Sequence, residues 1–166
     1  MYIRKVMPED EPVIKGWLSE PKVCKYVTGR QVYSTDMFYS WYEAHDQFGY
    51  ILEEGTNSVA YGEIWIDEEE KDIELAHIVV HPSLRNKGLG KSFIKELLAE
   101  CKNYSYEWVY MRIEPGNVQA IQCYKGVGFV EDPNLRSSFD SRWIWLKKGS
   151  RRIRTRFKGN ENIFLK

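Results

Sequence analysis

One segment constrains this chain more than any other. Between Asp72 and His81 stands Ile73-Glu74-Leu75-Ala76-His77-Ile78-Val79-Val80, almost continuously apolar and β-branched at its end. That pattern predicts a strand buried on both faces. His81-Pro82 ends it. After a short glycine-containing loop, Leu89, Phe93, Ile94, Leu97, Leu98 and Cys101 recur at helical spacing, which predicts an amphipathic helix from about Gly88 to Lys102. A strand covered on both faces needs layers of structure around it, so the chain has to fold as a sheet with helices packed against it.

The remaining segments fit that frame. Ile3 to Met7 reads as a first strand, and Pro8-Glu9-Asp10-Glu11-Pro12 punctuates it before a helix over Val13 to Leu18. Ser34-Thr35-Asp36 offers caps for a second helix to about His45. Tyr50-Ile51-Leu52 and Val59 to Ile66 read as paired strands around the turn Gly55-Thr56-Asn57-Ser58. The acidic run Asp67 to Asp72 reads as a solvated turn. Trp108 to Ile113 is the next strand, and Pro115-Gly116 breaks it. Asn117 caps a helix to about Lys125, Gly128-Phe129-Val130 begins another strand, and Arg142 to Lys147 is the last. The mixture predicts an α/β or α+β sheet with helices on both faces.

Composition narrows the function classes. The 166 residues suit one domain with a real core, and the acids and bases balance at 24 each. Net charge therefore gives no argument for nucleic acid, a membrane or a strongly acidic partner. No apolar run reaches the length of a membrane span, and Met1 to Val6 lacks a signal-peptide core, so a cytoplasmic protein is expected. Cys24, Cys101 and Cys123 are odd in number and far apart, which gives neither a disulfide framework nor a metal-ligand spacing. His77 and His81 lie four apart on the strand without a third ligand signal, so no metal is expected. Residues 1–149 are read as one domain and residues 150–166 as a basic tail, with Arg151, Arg152, Arg154 and Arg156 in it.

Chemistry concentrates where the buried strand feeds its helix, at Arg85-Asn86-Lys87-Gly88-Leu89-Gly90-Lys91. A glycine-containing turn at a helix N-terminus is an anion site, because free N–H groups and the helix dipole both point at the ligand. A Walker A loop needs glycine where Arg85 stands, and a dinucleotide fingerprint starting at Gly88 needs glycine where Phe93 stands. Both fail. The pattern Arg/Gln-x-x-Gly-x-Gly/Ala after an apolar strand is met fully by Arg85 to Gly90. Here the sequence resembles the GNAT superfamily of N-acetyltransferases. Downstream, Asn117-Val118-Gln119-Ala120-Ile121-Gln122-Cys123-Tyr124-Lys125-Gly126-Val127-Gly128-Phe129 resembles that superfamily's later motif, Asn-x-x-Ala-x-x-x-Tyr-x-x-x-Gly-Phe. The specific motifs cover roughly residues 73 to 130.

The resemblance implies a single GNAT-like domain, with a mixed, mostly antiparallel twisted sheet of about six to seven strands. It implies acetyl-CoA as co-substrate and a primary amine of a small molecule or peptide as acceptor. Arg85, Asn86, Lys87, Gly88, Leu89, Gly90 and Lys91 would hold the pyrophosphate. Backbone groups of Ile78, Val79 and Val80 would meet the pantetheine arm. Asn117 would contact the cofactor or cap its helix. Tyr124 is the candidate general acid toward the thioester sulfur, against a plain packing role. Glu74, opening the buried strand, is the candidate base, placed by strand alternation on one face with Ala76, Ile78 and Val80. The aromatics Tyr33, Phe38, Tyr39, Trp41 and Tyr42 fall where the superfamily builds its acceptor site. Cys123 beside Tyr124 raises an acyl-cysteine route, but no partner histidine motif accompanies it.

The chemistry explains why an acid and a base are sought. An amine with an ordinary lysine-like pKa is cationic at pH 7, and supplying its neutral form costs about 4–5 kcal/mol. A leaving thiolate gains from a proton donor. Three alternatives stay open at this level: a CoA-binding sensor without turnover, a protein N-terminal or lysine acetyltransferase, and a nucleic-acid contact through the arginine-rich tail. A homodimer also stays open.

Overall fold

The strands are β1 (Tyr2–Lys5), β2 (Gln47–Glu54), β3 (Asn57–Asp67), β4 (Asp72–Val80), β5 (Trp108–Ile113), β6 (Val130–Glu131) and β7 (Ile144–Gly149). The helices are α1 (Glu11–Trp17), α2 (Pro21–Thr28), α3 (Thr35–Tyr42), α4 (Leu89–Cys101), α5 (Val118–Lys125) and α6 (Pro133–Ser138). In the computed structural model, which describes residues 1–138 and 142–150, the strands form one sheet in the order β1-β2-β3-β4-β5-β7-β6. Every neighbouring pair is antiparallel except β4 and β5, which are parallel. The sheet matches the mixed, mostly antiparallel expectation. The arginine-rich tail lies outside the described residues.

Two apolar layers sandwich the central strands. On one side α4 lays Phe93, Ile94, Leu97 and Cys101, all fully buried, onto Ile64, Ile73, Leu75 and Val109. Each large apolar side chain sealed this way contributes about 1.5–3 kcal/mol. Gly62 of β3 makes the fit close: a Cβ there would stand 2.9 Å from Phe93 Cε1 and 3.1 Å from Ile78 Cγ1. On the other side Ile14, Trp17, Leu18 and Phe38 from the N-terminal helical region cover Ile51, Tyr61 and Val79. Phe38 is thus core, Tyr33 and Trp41 pack against that core, and Tyr39 and Tyr42 are exposed. None of the five lines either cleft of the candidate site, although Trp41 packs against His77, which does.

Two departures from regular pairing shape β4. Opposite β3, Tyr61 pairs with Val79 and Glu63 with Ala76, so His77 and Ile78 together face the single Gly62. This is a β-bulge, and His77 sits in it at φ +50°, a left-handed conformation uncommon for any residue but glycine. The bulge inverts the alternation. Glu74 and Ala76 share a face with His77 and Val79, whereas Ile78 and Val80 pack toward α4. The expected single face of Glu74, Ala76, Ile78 and Val80 is therefore corrected: alternation cannot be carried through an extra residue.

The second departure is a splay. β4 pairs with β5 only at Ile73↔Val109 and Glu74↔Tyr110. Beyond Glu74 the strands diverge, and from Leu75 onward β4 has β3 as its one strand partner among the described residues. A wedge opens there, and α5 borders it.

Candidate active site

The wedge holds two adjoining clefts. The larger, about 700 Å³, runs from the glycine loop past Val80, Val79 and Ile78 to Cys123 and Tyr124. The smaller, about 230 Å³, is lined by Trp65, Glu74, His77 and Arg112 from the sheet and by residues 26–29 from the end of α2. Tyr26, Val27, Ile78, Asn117, Ala120 and Tyr124 line both. Tyr124 therefore stands where one cleft passes into the other.

The glycine loop is built for close anion contact. Asn86 at φ +61° and Gly88 at φ +85° turn the chain sharply into α4, with Gly88 as N-cap. Glycine takes that conformation without strain. The first N–H groups of α4 have no partner within the helix and face outward with its positive dipole end. Lys22 and Lys91 border the same cleft, as does Glu20. Not every expected residue reaches in. Arg85 lines the cleft, yet its Nε donates to Val80 O at 3.1 Å and its Nη2 to Trp17 O at 3.4 Å. Its guanidinium braces the loop. Lys87 is exposed and away from the cleft lining, and the Leu89 side chain is buried in the core. What Leu89 can offer a ligand is its backbone N–H.

Asn117 caps α5, its Oδ1 accepting the Ala120 N–H at 3.3 Å, and it also lines both clefts. Tyr124 is buried beside Phe129, with burial pushing its hydroxyl well above the ordinary tyrosine range. Such a hydroxyl keeps its proton until a strong base, such as a thiolate, forms beside it. Cys123 is half-buried, and a Cβ on Gly90 would meet its Sγ at 3.3 Å. Burial pushes the Cys123 thiol up while Lys91 pulls it down, with burial ahead, so the thiolate needed for an acyl-cysteine is disfavoured.

Glu74 does face the smaller cleft, on the strand edge where β4 and β5 part. Arg112 Nε donates to its Oε1 at 2.6 Å. Burial raises the Glu74 carboxyl above the usual range, and Arg112 offsets part of that rise. Arg112 also lies over Trp65 and Trp145, at 5.7 and 5.4 Å from the ring centroids. The acidic run Asp67 to Glu70 is exposed at the β3–β4 turn and lines neither cleft.

Two contributors were missed in the sequence. α2 walls both clefts through Tyr26 and Val27, and its signals were present: Pro21 at the first helical position and Gly29 just past the end, at φ +77°. His77, which the sequence marks only as a histidine without metal-ligand company, lines the smaller cleft. Among the described residues no group of three or more His, Cys, Asp or Glu is placed to hold a metal, and no helix is long and apolar enough to cross a membrane.

The profile of the acetyltransferase (GNAT) family matches residues 14–129. The chain therefore belongs to the acetyltransferase (GNAT) family and is by class an acyl-CoA-dependent N-acetyltransferase. An L-methionine sulfoximine/L-methionine sulfone acetyltransferase of Salmonella typhimurium is 29% identical over 68% of this chain and 70% of its own. The L-amino acid N-acyltransferase of Escherichia coli is 26% identical over 70% of this chain and 72% of its own. In fold, the spermidine N-acetyltransferase of Vibrio cholerae, solved with CoA and spermine, superposes with a TM-score of 0.73 at 16% identity, covering 89% of this chain and 94% of that one.

Proposed function

We propose that the chain transfers an acetyl group from acetyl-CoA to a primary amine of a small molecule or peptide, by direct attack within a ternary complex. The observation that carries this reading is the meeting of the two clefts at Tyr124. One cleft has an anion-binding turn at its far end, and the other has a carboxylate facing inward. A thioester laid along the first would present its carbonyl where a nucleophile arrives from the second.

The pyrophosphate is held by N–H groups of Gly88 to Lys91 with Lys91 and Lys22 nearby. The pantetheine amides pair with the free backbone edge of β4 at Ile78 to Val80. Tyr124 protonates the departing sulfur. Glu74 supplies negative charge toward the acceptor ammonium. Holding both reactants in register removes much of the entropic barrier. Both clefts are lined by one chain, so the reading requires no second copy. A cytosolic setting, where acetyl-CoA and reduced cysteines coexist, belongs to the same reading.

The relatives named above suggest the first amines to try. Acetyl-CoA thiol release should be followed with L-methionine sulfoximine, L-methionine sulfone, spermidine and a lysine peptide. Amine-dependent release identifies an enzyme and ranks the acceptor class. Binding of CoA without release on any amine would leave a sensor instead.

A further inference from the structure

The bulge in β4 delivers His77 into the acceptor cleft in an unusual setting. The ring lies against Trp41, with centroids 4.0 Å apart, and against the edge of Trp65 at 5.2 Å. Its Nδ1 is 2.8 Å from Glu63 Oε1. Glu63 itself is 1% exposed. It lies between Tyr61 and Trp65 on one face of β3, and both donate to it: Tyr61 OH to Oε1 at 2.6 Å and Trp65 Nε1 to Oε2 at 2.5 Å.

A carboxylate taken out of water is costly unless its lone pairs are used and a positive charge lies near. Among the described residues no lysine or arginine pairs with Glu63; the one ionisable partner able to become positive is His77. An ionised carboxylate only accepts hydrogen bonds, so in the neutral ring the proton sits on Nδ1 and the lone pair on Nε2. Nε2 has no hydrogen-bond partner among the described residues, and His77 lines the smaller cleft.

We propose that His77 Nε2 takes the proton of the incoming amine, and that Glu63 is the positioning residue that fixes the ring's tautomer and stabilises its cation. This inference rests on the acetyl-transfer reading above. The ammonium of the acceptor gives one proton to Nε2 and becomes a neutral amine. Its lone pair forms the C–N bond at the thioester carbon as the C–S bond breaks. Tyr124 passes its proton to the sulfur and recovers the surplus proton from the new amide nitrogen. The imidazolium returns its proton to solvent. Atoms and charge balance without any further reactant.

The two carboxylates explain why the task falls to His77 and not to Glu74. Arg112 opposes proton uptake by Glu74, whereas Glu63 occupies the Nδ1 side of His77 and leaves Nε2 without a partner among the described residues. Glu74 remains the anion that draws the ammonium in. The titratable groups around the ring are Glu63 and Tyr61 on β3, Glu74 on β4, Arg112 on β5, Tyr26 on α2 and Tyr124 on α5; α3 contributes the uncharged Trp41.

The test is His77→Asn. Asparagine tolerates the left-handed backbone of the bulge, and its amide still donates to Glu63, but it cannot take a proton. With the amine that wild type acetylates fastest among L-methionine sulfone, L-methionine sulfoximine and spermidine, kcat at neutral pH should fall about 100-fold or more. The melting temperature and the KM for acetyl-CoA should stay unchanged. The loss should shrink as pH approaches the amine's own pKa, because the amine then arrives neutral. A wild-type rate, or a loss equal at every pH, overturns the proposal, as does a Glu74→Gln variant that alone shows the pH-dependent loss. A second measurement is independent of the acceptor: ¹⁵N NMR of histidine-labelled protein should show His77 protonated at Nδ1. A ring protonated at Nε2 overturns the proposal whatever the amine. Wild type inactive on every amine would instead sink the acetyl-transfer reading, and the tautomer would still decide the His77–Glu63 arrangement.

Discussion

The two faces of β3 and β4 come from the same strands and have been put to different uses. Toward α4 the face is apolar, and a missing Cβ at Gly62 lets the layers close. Toward α2 and α3 the same strands present Tyr61, Trp65 and His77 hydrogen-bonded to Glu63, and Glu74 hydrogen-bonded to Arg112. The first face holds the fold; the second positions polar and charged side chains along a cleft. A polar network of this kind has to be fully satisfied to be tolerated, and once satisfied it keeps side chains in fixed orientations. The contrast teaches that damage to one face should be read in melting curves and damage to the other in rates.

Tyr124 gives the largest expected effect and joins the two sides, since it packs with the α4 face while lining both clefts. Tyr124→Phe keeps the ring and should cost about 10²–10⁴-fold in kcat with little change in acetyl-CoA affinity. A wild-type rate would assign Tyr124 to packing alone. Phe93→Ala sharpens the contrast from the stability side. It should cost about 3–5 kcal/mol, read by denaturant unfolding, while the folded fraction keeps its turnover. A stable but slow Phe93→Ala variant would show that the two faces are not separable.

Gly88→Val forces a β-branched residue into a left-handed turn, a strain of about 1–3 kcal/mol that the loop can relieve only by moving. Calorimetry should show CoA binding weakened about tenfold or more by that amount of strain, with the core unfolding as before. Unchanged affinity in a folded variant removes the anion-turn assignment. Glu74→Gln should raise the KM for a cationic acceptor more than it lowers kcat, measured against one identified amine. A kcat loss that vanishes at high pH would make Glu74 the base after all.

The smallest effect concerns acid stability. Asp10 accepts Arg4 through both Nη atoms at 2.7 Å and the Met7 N–H at 2.8 Å. Burial pushes the Asp10 carboxyl up, but the Arg4 and Met7 hydrogen bonds together hold it below the usual carboxylate range. A depressed folded value contributes stability in full above the unfolded value and loses it as pH falls through the folded one. Asp10→Asn should therefore lower the melting temperature at pH 7, and the gap to wild type should close as pH falls below the usual carboxylate range. A gap of equal size at both pH values would deny the linkage.

The sequence disclosed those elements whose signals are local. α4 and its glycine turn, β5, and α5 behind its Asn117 cap could all be read from periodicity and punctuation. The resemblance to the acetyltransferases then placed the glycine loop and Tyr124 at one site, and both line the larger cleft. Facing on β4 could not be read, because one extra residue reverses the alternation and only the pairing with β3 reveals it. The pairing of Glu63 with His77 was equally hidden: fourteen positions separate them, and neither residue type is unusual for a strand. The aromatic stretch from Tyr33 to Tyr42 looked like a ligand wall because aromatic side chains serve packing and binding alike, and only the three-dimensional packing separates the two. The short α2 escaped because its apolar residues, Val23, Cys24 and Val27, are few, although proline and glycine marked both its ends.

The splay between β4 and β5 has a consequence for how this protein behaves on its own. From Leu75 to Val79 the strand is an unfinished row of donors and acceptors, and such rows recruit extended chains of any origin. A pantetheine arm, with its two amides spaced along an extended chain, would act as a surrogate strand and close that row. The ligand-loaded protein should therefore resist self-association on storage or mild heating better than the empty one, over and above the stabilisation that mass action alone confers.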